Sequence, residues 1–183
     1  GTKKNYCPSV PLSRNKGRCK NLGQTPLFRD KMNIYLANCT KKISEKRDWA
    51  AYIFTGDAGK VCYIASAPKK QKGKYKKRGQ PYALVTNRPK QKINGEVNFI
   101  AGYNFKKGSS VKVKISKKTF KLFTQQDGAW SAKPELDAKL VKAMKGGNRM
   151  VVYGTSSRGT KTTDTYSLSG FTAMKKRIDK ACK

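Results

Sequence analysis

Ten residues from Lys69 to Arg78, reading KKQKGKYKKR, hold the densest chemistry in the chain. Lys69, Lys70, Lys72, Lys74, Lys76, Lys77 and Arg78 are cationic. So many like charges in one short stretch need either an anion nearby or an extended, solvated backbone. Tyr75, in their midst, offers a face on which a base or another ring can stack. The chemistry implied is anion binding, with nucleic acid, anionic lipid headgroups or acidic polysaccharide as the ligand classes. Lys greatly outnumbers Arg in the chain. An ammonium is a hydrated point charge without a planar fork, which favours diffuse attraction over bidentate reading of bases.

Other chemistries find few residues to carry them. There is no His, so acid–base or nucleophilic work would fall to Asp/Glu pairs, Lys or Tyr. The 10 acidic residues are scattered and form no dyad. Glu135 and Asp137 stand two apart at an expected helix start, where compensation of the helix dipole explains them. Three Gly-containing stretches read as turns: Gly56-Asp-Ala-Gly59, Gly146-Gly147 and Ser156-Ser-Arg-Gly-Thr160. None combines phosphate-loop spacing with a following helix. The 5 cysteines, at 7, 19, 39, 62 and 182, form no CxxC pair, so a zinc site is disfavoured and disulfides in an oxidising compartment are the more natural use. An odd number leaves one thiol free or paired between chains. The expectation is a non-enzyme with no metal and no cofactor.

These residues must be held by a chain of 183 residues, enough for one domain with something left over. Its net charge of +32, from 42 Lys and Arg, strains any compact state by self-repulsion. Residues 1–47 differ from the rest, with three cysteines, three prolines and weak periodicity. They are expected to form a basic extension, in which Leu27-Phe28 and residues 32–36 could dock on the body. From Trp49 onward, short alternating runs separated by turn signals predict a mostly β body over 48–183. Strands are expected at 49–55, 60–66, 82–87, 96–103, 110–116, 119–125, 150–155 and 163–168. In the clearest, Val111, Val113 and Ile115 face inward while Lys112 and Lys114 meet solvent, and a turn at Lys117-Lys118 leads into the next strand. One helix begins at Pro134 and stops at Gly146-Gly147. A second begins after Ser169-Gly170 and carries Phe171, Met174, Ile178 and Ala181 on one face. The fold class expected is therefore a β-sandwich-like antiparallel domain with two short covering helices.

Several stretches, in order, resemble one family. Residues 156–171, SSRGTKTTDTYSLSGF, followed by a short helix and Cys182, are similar to the C-terminal signature of invasion-associated locus B (IalB) proteins. Upstream stand Asp48-Trp49, Val61-Cys-Tyr-Ile-Ala-Ser-Ala-Pro68, Val85-Thr-Asn-Arg-Pro89, Glu96-Val-Asn-Phe-Ile-Ala-Gly-Tyr103, Ala129-Trp130 and Leu140-Val-Lys-Ala-Met144. The resemblance covers about residues 47–183. It implies an exported protein of the bacterial envelope, periplasmic or outer-membrane associated, with its signal peptide removed; the chain opens on Gly1 instead of Met. It also implies a Cys62–Cys182 disulfide. Outside the resembling region, Cys7–Cys19 is the local pairing expected, leaving Cys39 free. The function expected is binding of anionic envelope components, or another polyanion, through Lys-rich loops, with protein partners also possible. The alternative is a nucleic-acid-binding component of a ribonucleoprotein. No run approaches the ~18 apolar residues that span a bilayer.

Overall fold

The computed structural model of the chain describes residues 40–56 and 59–183. The expected extension, the Cys7–Cys19 pair, Cys39 and the middle of the 56–59 turn lie outside them. Eleven strands form one antiparallel sheet: β1 (Lys41–Lys46), β2 (Trp49–Gly56), β3 (Gly59–Ser66), β4 (Lys70–Lys72), β5 (Tyr82–Arg88), β6 (Ile93–Ile100), β7 (Ser110–Ile115), β8 (Lys118–Gln125), β9 (Gly128–Trp130), β10 (Arg149–Thr155) and β11 (Lys161–Ser167). Their order across the sheet is β1-β2-β3-β5-β6-β9-β8-β7-β10-β11-β4. Two helices, α1 (Pro134–Gly146) and α2 (Phe171–Ala181), complete the body, as expected.

All eight strands read from the sequence are present. The fourth of them, β6, runs Ile93–Ile100 rather than 96–103. At its start Gly95, at φ 78, is the extra residue of a bulge, since Asn87 faces Asn94 and Thr86 faces Glu96. At its end Gly102 takes φ 74 and ends the extended run. The β7–β8 hairpin turns at Ser116-Lys117, one residue before the expected pair, because Ser116 adopts the left-handed φ of 52 and Ile115 pairs with Lys118. Three strands had no usable periodicity: β1 lies ahead of the body's expected start, and β4 and β9 are three residues each.

The sheet bends back until its two ends meet. Asp48 N–H donates to the Ser169 carbonyl at 3.2 Å, and Trp49 Nε1–H to the Ser167 carbonyl at 3.0 Å. The result is a sandwich-like shell around one main core. Trp49, Ile64, Val85, Phe99, Val113, Leu122, Met150 and Tyr166 contribute to it from the strands, and Leu140, Met144, Phe171 and Ile178 from the helices. Trp49 and Phe171 meet edge to face, with centroids 5.0 Å apart. β3 and β5 are buried on both faces, so Val61, Tyr63, Tyr82 and Leu84 form a second, smaller cluster with Ile100.

The implied disulfide is present: Cys62, on β3, is bonded to Cys182 at the end of α2, 120 residues away in sequence. A loop of that length stabilises the fold by about 5 kcal/mol in the chain-entropy account. Asp137 does more than balance the dipole of α1. Its carboxylate accepts the Val97 N–H at 3.0 Å and pins the helix to β6, and burial raises its pKa.

Candidate anion-binding site

The ten-residue basic stretch starts as a sheet edge. β4 pairs with β11, with Lys70 opposite Thr165 and Lys72 opposite Thr163, and Lys69 N–H adds a bond to the Thr165 carbonyl at 2.7 Å. Pairing is short because Gly73, at φ 153, turns the chain away, and a loop follows in which Lys74, Tyr75, Lys76 and Lys77 are exposed. The loop returns through Gly79, whose N–H donates to the Gly102 carbonyl at 2.8 Å. A Cβ on Gly102 would overlap the Gly79 carbonyl, so this close approach requires glycine.

The seven cationic residues separate into three groups. Lys70, Lys72, Lys74, Lys76 and Lys77 are exposed. Lys69 lies 2.5 Å from Asp48, and the bond to that ammonium, with a further one to Ser167, holds the Asp48 carboxyl below its ordinary range. Arg78 departs from the expectation, because its guanidinium points inward. Nη1 and Nη2 donate to the two Asp164 oxygens at 2.8 and 2.5 Å, and Nε donates to the Ala101 carbonyl at 2.8 Å. The Tyr75 and Tyr103 rings flank it at 5.3 and 5.0 Å, and the ion pair's side chains are only 2% and 6% exposed. Desolvation works to discharge Arg78, but the Asp164 carboxylate outweighs it and keeps its pKa above the ordinary value. Arg78 is thus the root of the loop, spent on Asp164, and Tyr75 is one wall of its cage. Sequence spacing gave no sign of this, since the partner lies 86 residues away.

The loop does not stand alone. Following the strand registers outward from β4, one row of facing residues reads Lys72, Thr163, Tyr153, Lys112, Lys121 across β4, β11, β10, β7 and β8. The next row reads Lys70, Thr165, Val151, Lys114, Thr119. Neither contains Asp or Glu. Lys112 and Lys121 lie directly opposite one another, a pairing that costs stability in an antiparallel sheet. Lys112 Nζ leans over the Tyr153 ring at 5.9 Å. The outward position of Lys112 and Lys114 was legible from their alternation with Val111, Val113 and Ile115. That they share a surface with Lys70 and Lys72 was not, because it needs the β10–β11–β4 pairings.

No enzyme-like constellation emerges among the described residues. Buried Lys175 is bonded to Asp179 and to Asn94 Oδ1, and Asn87 Nδ2 donates to Asp179 at 2.8 Å. Buried Arg88 pairs with Glu96. These buried charges are tied up in structural pairs between α2 and the β5–β6 hairpin or within that hairpin. Gly146-Gly147 ends α1, and Ser156–Thr160 closes the β10–β11 hairpin through Ser156 N–H to the Thr160 carbonyl at 2.9 Å, so both are turns as expected.

A profile of the family described as invasion associated locus B (IalB) protein matches residues 49–179. No curated protein sequence matches the chain. Among solved structures, the chain is similar to the crystal structure of invasion associated protein b from Bartonella henselae, with a TM-score of 0.50 and 12% identity, covering 75% of this chain and 95% of that one. At that identity the likeness speaks for the fold.

Proposed function

The chain belongs to the invasion associated locus B family, whose proteins are envelope associated, and from that premise we propose that it is a non-catalytic envelope protein that binds anionic surfaces or polymers through its Lys-rich loop. The observation that carries this reading is the state of the loop. Lys70, Lys72, Lys74, Lys76 and Lys77 are exposed on a segment anchored at both ends, by β4–β11 pairing and by Arg78. Anchoring lowers the ordering entropy that a free basic tail would lose on binding. An exported, periplasmic or outer-membrane location accords with the Cys62–Cys182 disulfide, because such bonds persist in oxidising compartments. The same bond counts against the ribonucleoprotein alternative, which belongs to a reducing cytosol. Non-catalytic character is supported by the lack of His and by the structural pairing of buried charges.

Retention of the chain on heparin, taken as a generic polyanion, should fall steeply with salt. Replacing Lys70, Lys72, Lys74, Lys76 and Lys77 by Ser while keeping Arg78 should flatten that dependence without unfolding the body. An unchanged salt slope in the folded variant would remove the loop from the binding surface.

A further inference from the structure

We propose that the outward face of β8, β7, β10, β11 and β4 is a docking surface for a bilayer of anionic phospholipid. This rests on the anion-binding reading above and names the ligand. The first argument is shape. The two lysine-bearing rows span five strands, about 19 Å at the usual strand spacing, and lie about 7 Å apart. The cations Lys70, Lys72, Lys112, Lys114 and Lys121 are therefore spread over an area, not along a line. An area of point charges matches a plane of headgroup phosphates, each lysine near such a surface adding about fivefold in affinity.

The second argument is the aromatic corner. Phe123 on β8 pairs with Trp130 on β9, and their rings stack with centroids 6.0 Å apart. Phe123 also pairs with Ser110 on β7, in the row next to that of Lys121 and Lys112, so the pair lies on the same outward face. Phe123 is 42% exposed and Tyr153, among the lysines, 38%. Large rings left in water beside a cation array are the composition of a membrane-interface surface, where rings enter the headgroup layer and ammonium groups meet phosphate. Phe123 and Trp130 already stack on each other, which suits insertion as a unit better than intercalation between nucleobases. The third argument is the Lys112–Lys121 opposition, a cost to the free fold that anionic headgroups relieve.

The test uses the full chain and vesicles of phosphatidylglycerol mixed with phosphatidylcholine, set against vesicles of phosphatidylcholine alone. Heparin binding is measured in parallel, for the intact chain and for the K112Q/K114Q/K121Q variant. The proposal expects co-sedimentation only with the anionic vesicles and a roughly 100-fold loss in the variant, at about fivefold per lysine. It also expects a blue shift of tryptophan emission that Trp130→Phe abolishes, because Trp49 is already buried and cannot report. Heparin binding without vesicle binding would overturn the bilayer as ligand and leave the anion-binding loop standing. Vesicle binding of undiminished strength in the variant would overturn the sheet face and return the site to the loop. Binding to neither would bring down both readings.

Discussion

Where α2 meets the β5–β6 hairpin, cations are buried and answered: Lys175 by Asp179 and Asn94, Arg88 by Glu96. Across the sheet, on the outward face of β7, β8 and β10, Lys112 opposes Lys121 and Lys114 lies beside Val151, with no carboxylate in either row. One region is closed by a disulfide and by ion pairs; the other holds the same kind of charge open to solvent. The contrast shows that the +32 is unevenly used. Among the described residues, Asp164, Glu96 and Asp179 go to buried cations that hold the body together, and the lysine rows contain no acidic residue. A Lys-rich composition accounts for the number of charges but not for their segregation.

Breaking the closed region should cost most. Replacing Cys62 and Cys182 together by Ala should lower unfolding free energy by about 5 kcal/mol, measured by denaturant titration. Asp164→Ala, which leaves the Arg78 guanidinium buried and unpaired, should cost about 3 kcal/mol and loosen the 69–78 loop, detectable as faster proteolysis there. Tyr166 is buried and desolvation holds its pKa well above 10.0, so the folded state keeps a proton that the unfolded state releases. Stability from this group is whole below pH 10 and falls as pH rises, by about 1.4 kcal/mol per pH unit. Tyr166→Phe should flatten the alkaline limb of the stability curve by that amount. The open region should respond in the opposite sense: Lys121→Glu, set against Lys112, should stabilise the fold by a few tenths of a kcal/mol while weakening anion binding.

How far the sequence could be read follows the same division. Elements with internal periodicity were legible: β7 by its alternation, α1 by Pro134 and its Gly stop, α2 by apolar spacing after Gly170. The 62–182 bond was legible through family resemblance, since nothing local links those cysteines. Partners far apart in sequence were not. Arg78 read as one more cation of the loop because its carboxylate sits on β11, and Asp137 read as a dipole residue because the Val97 amide it binds is 40 residues away. β4 looked like low-complexity loop, since three exposed residues become a strand only when β11 is beside them. The lysine surface could be assembled only once the strand order was known.

Lysine reactivity mapped residue by residue, with an amine-directed reagent in the presence and absence of heparin, tests most directly whether this segregated charge is the binding surface. Heparin should protect Lys70, Lys72, Lys74, Lys76 and Lys77 of the loop and, next to them, Lys112, Lys114 and Lys121. Lys90, Lys92 and Lys176, outside these rows, should react as before. Even protection of all exposed lysines would contradict the account and reduce the charge to undirected basicity.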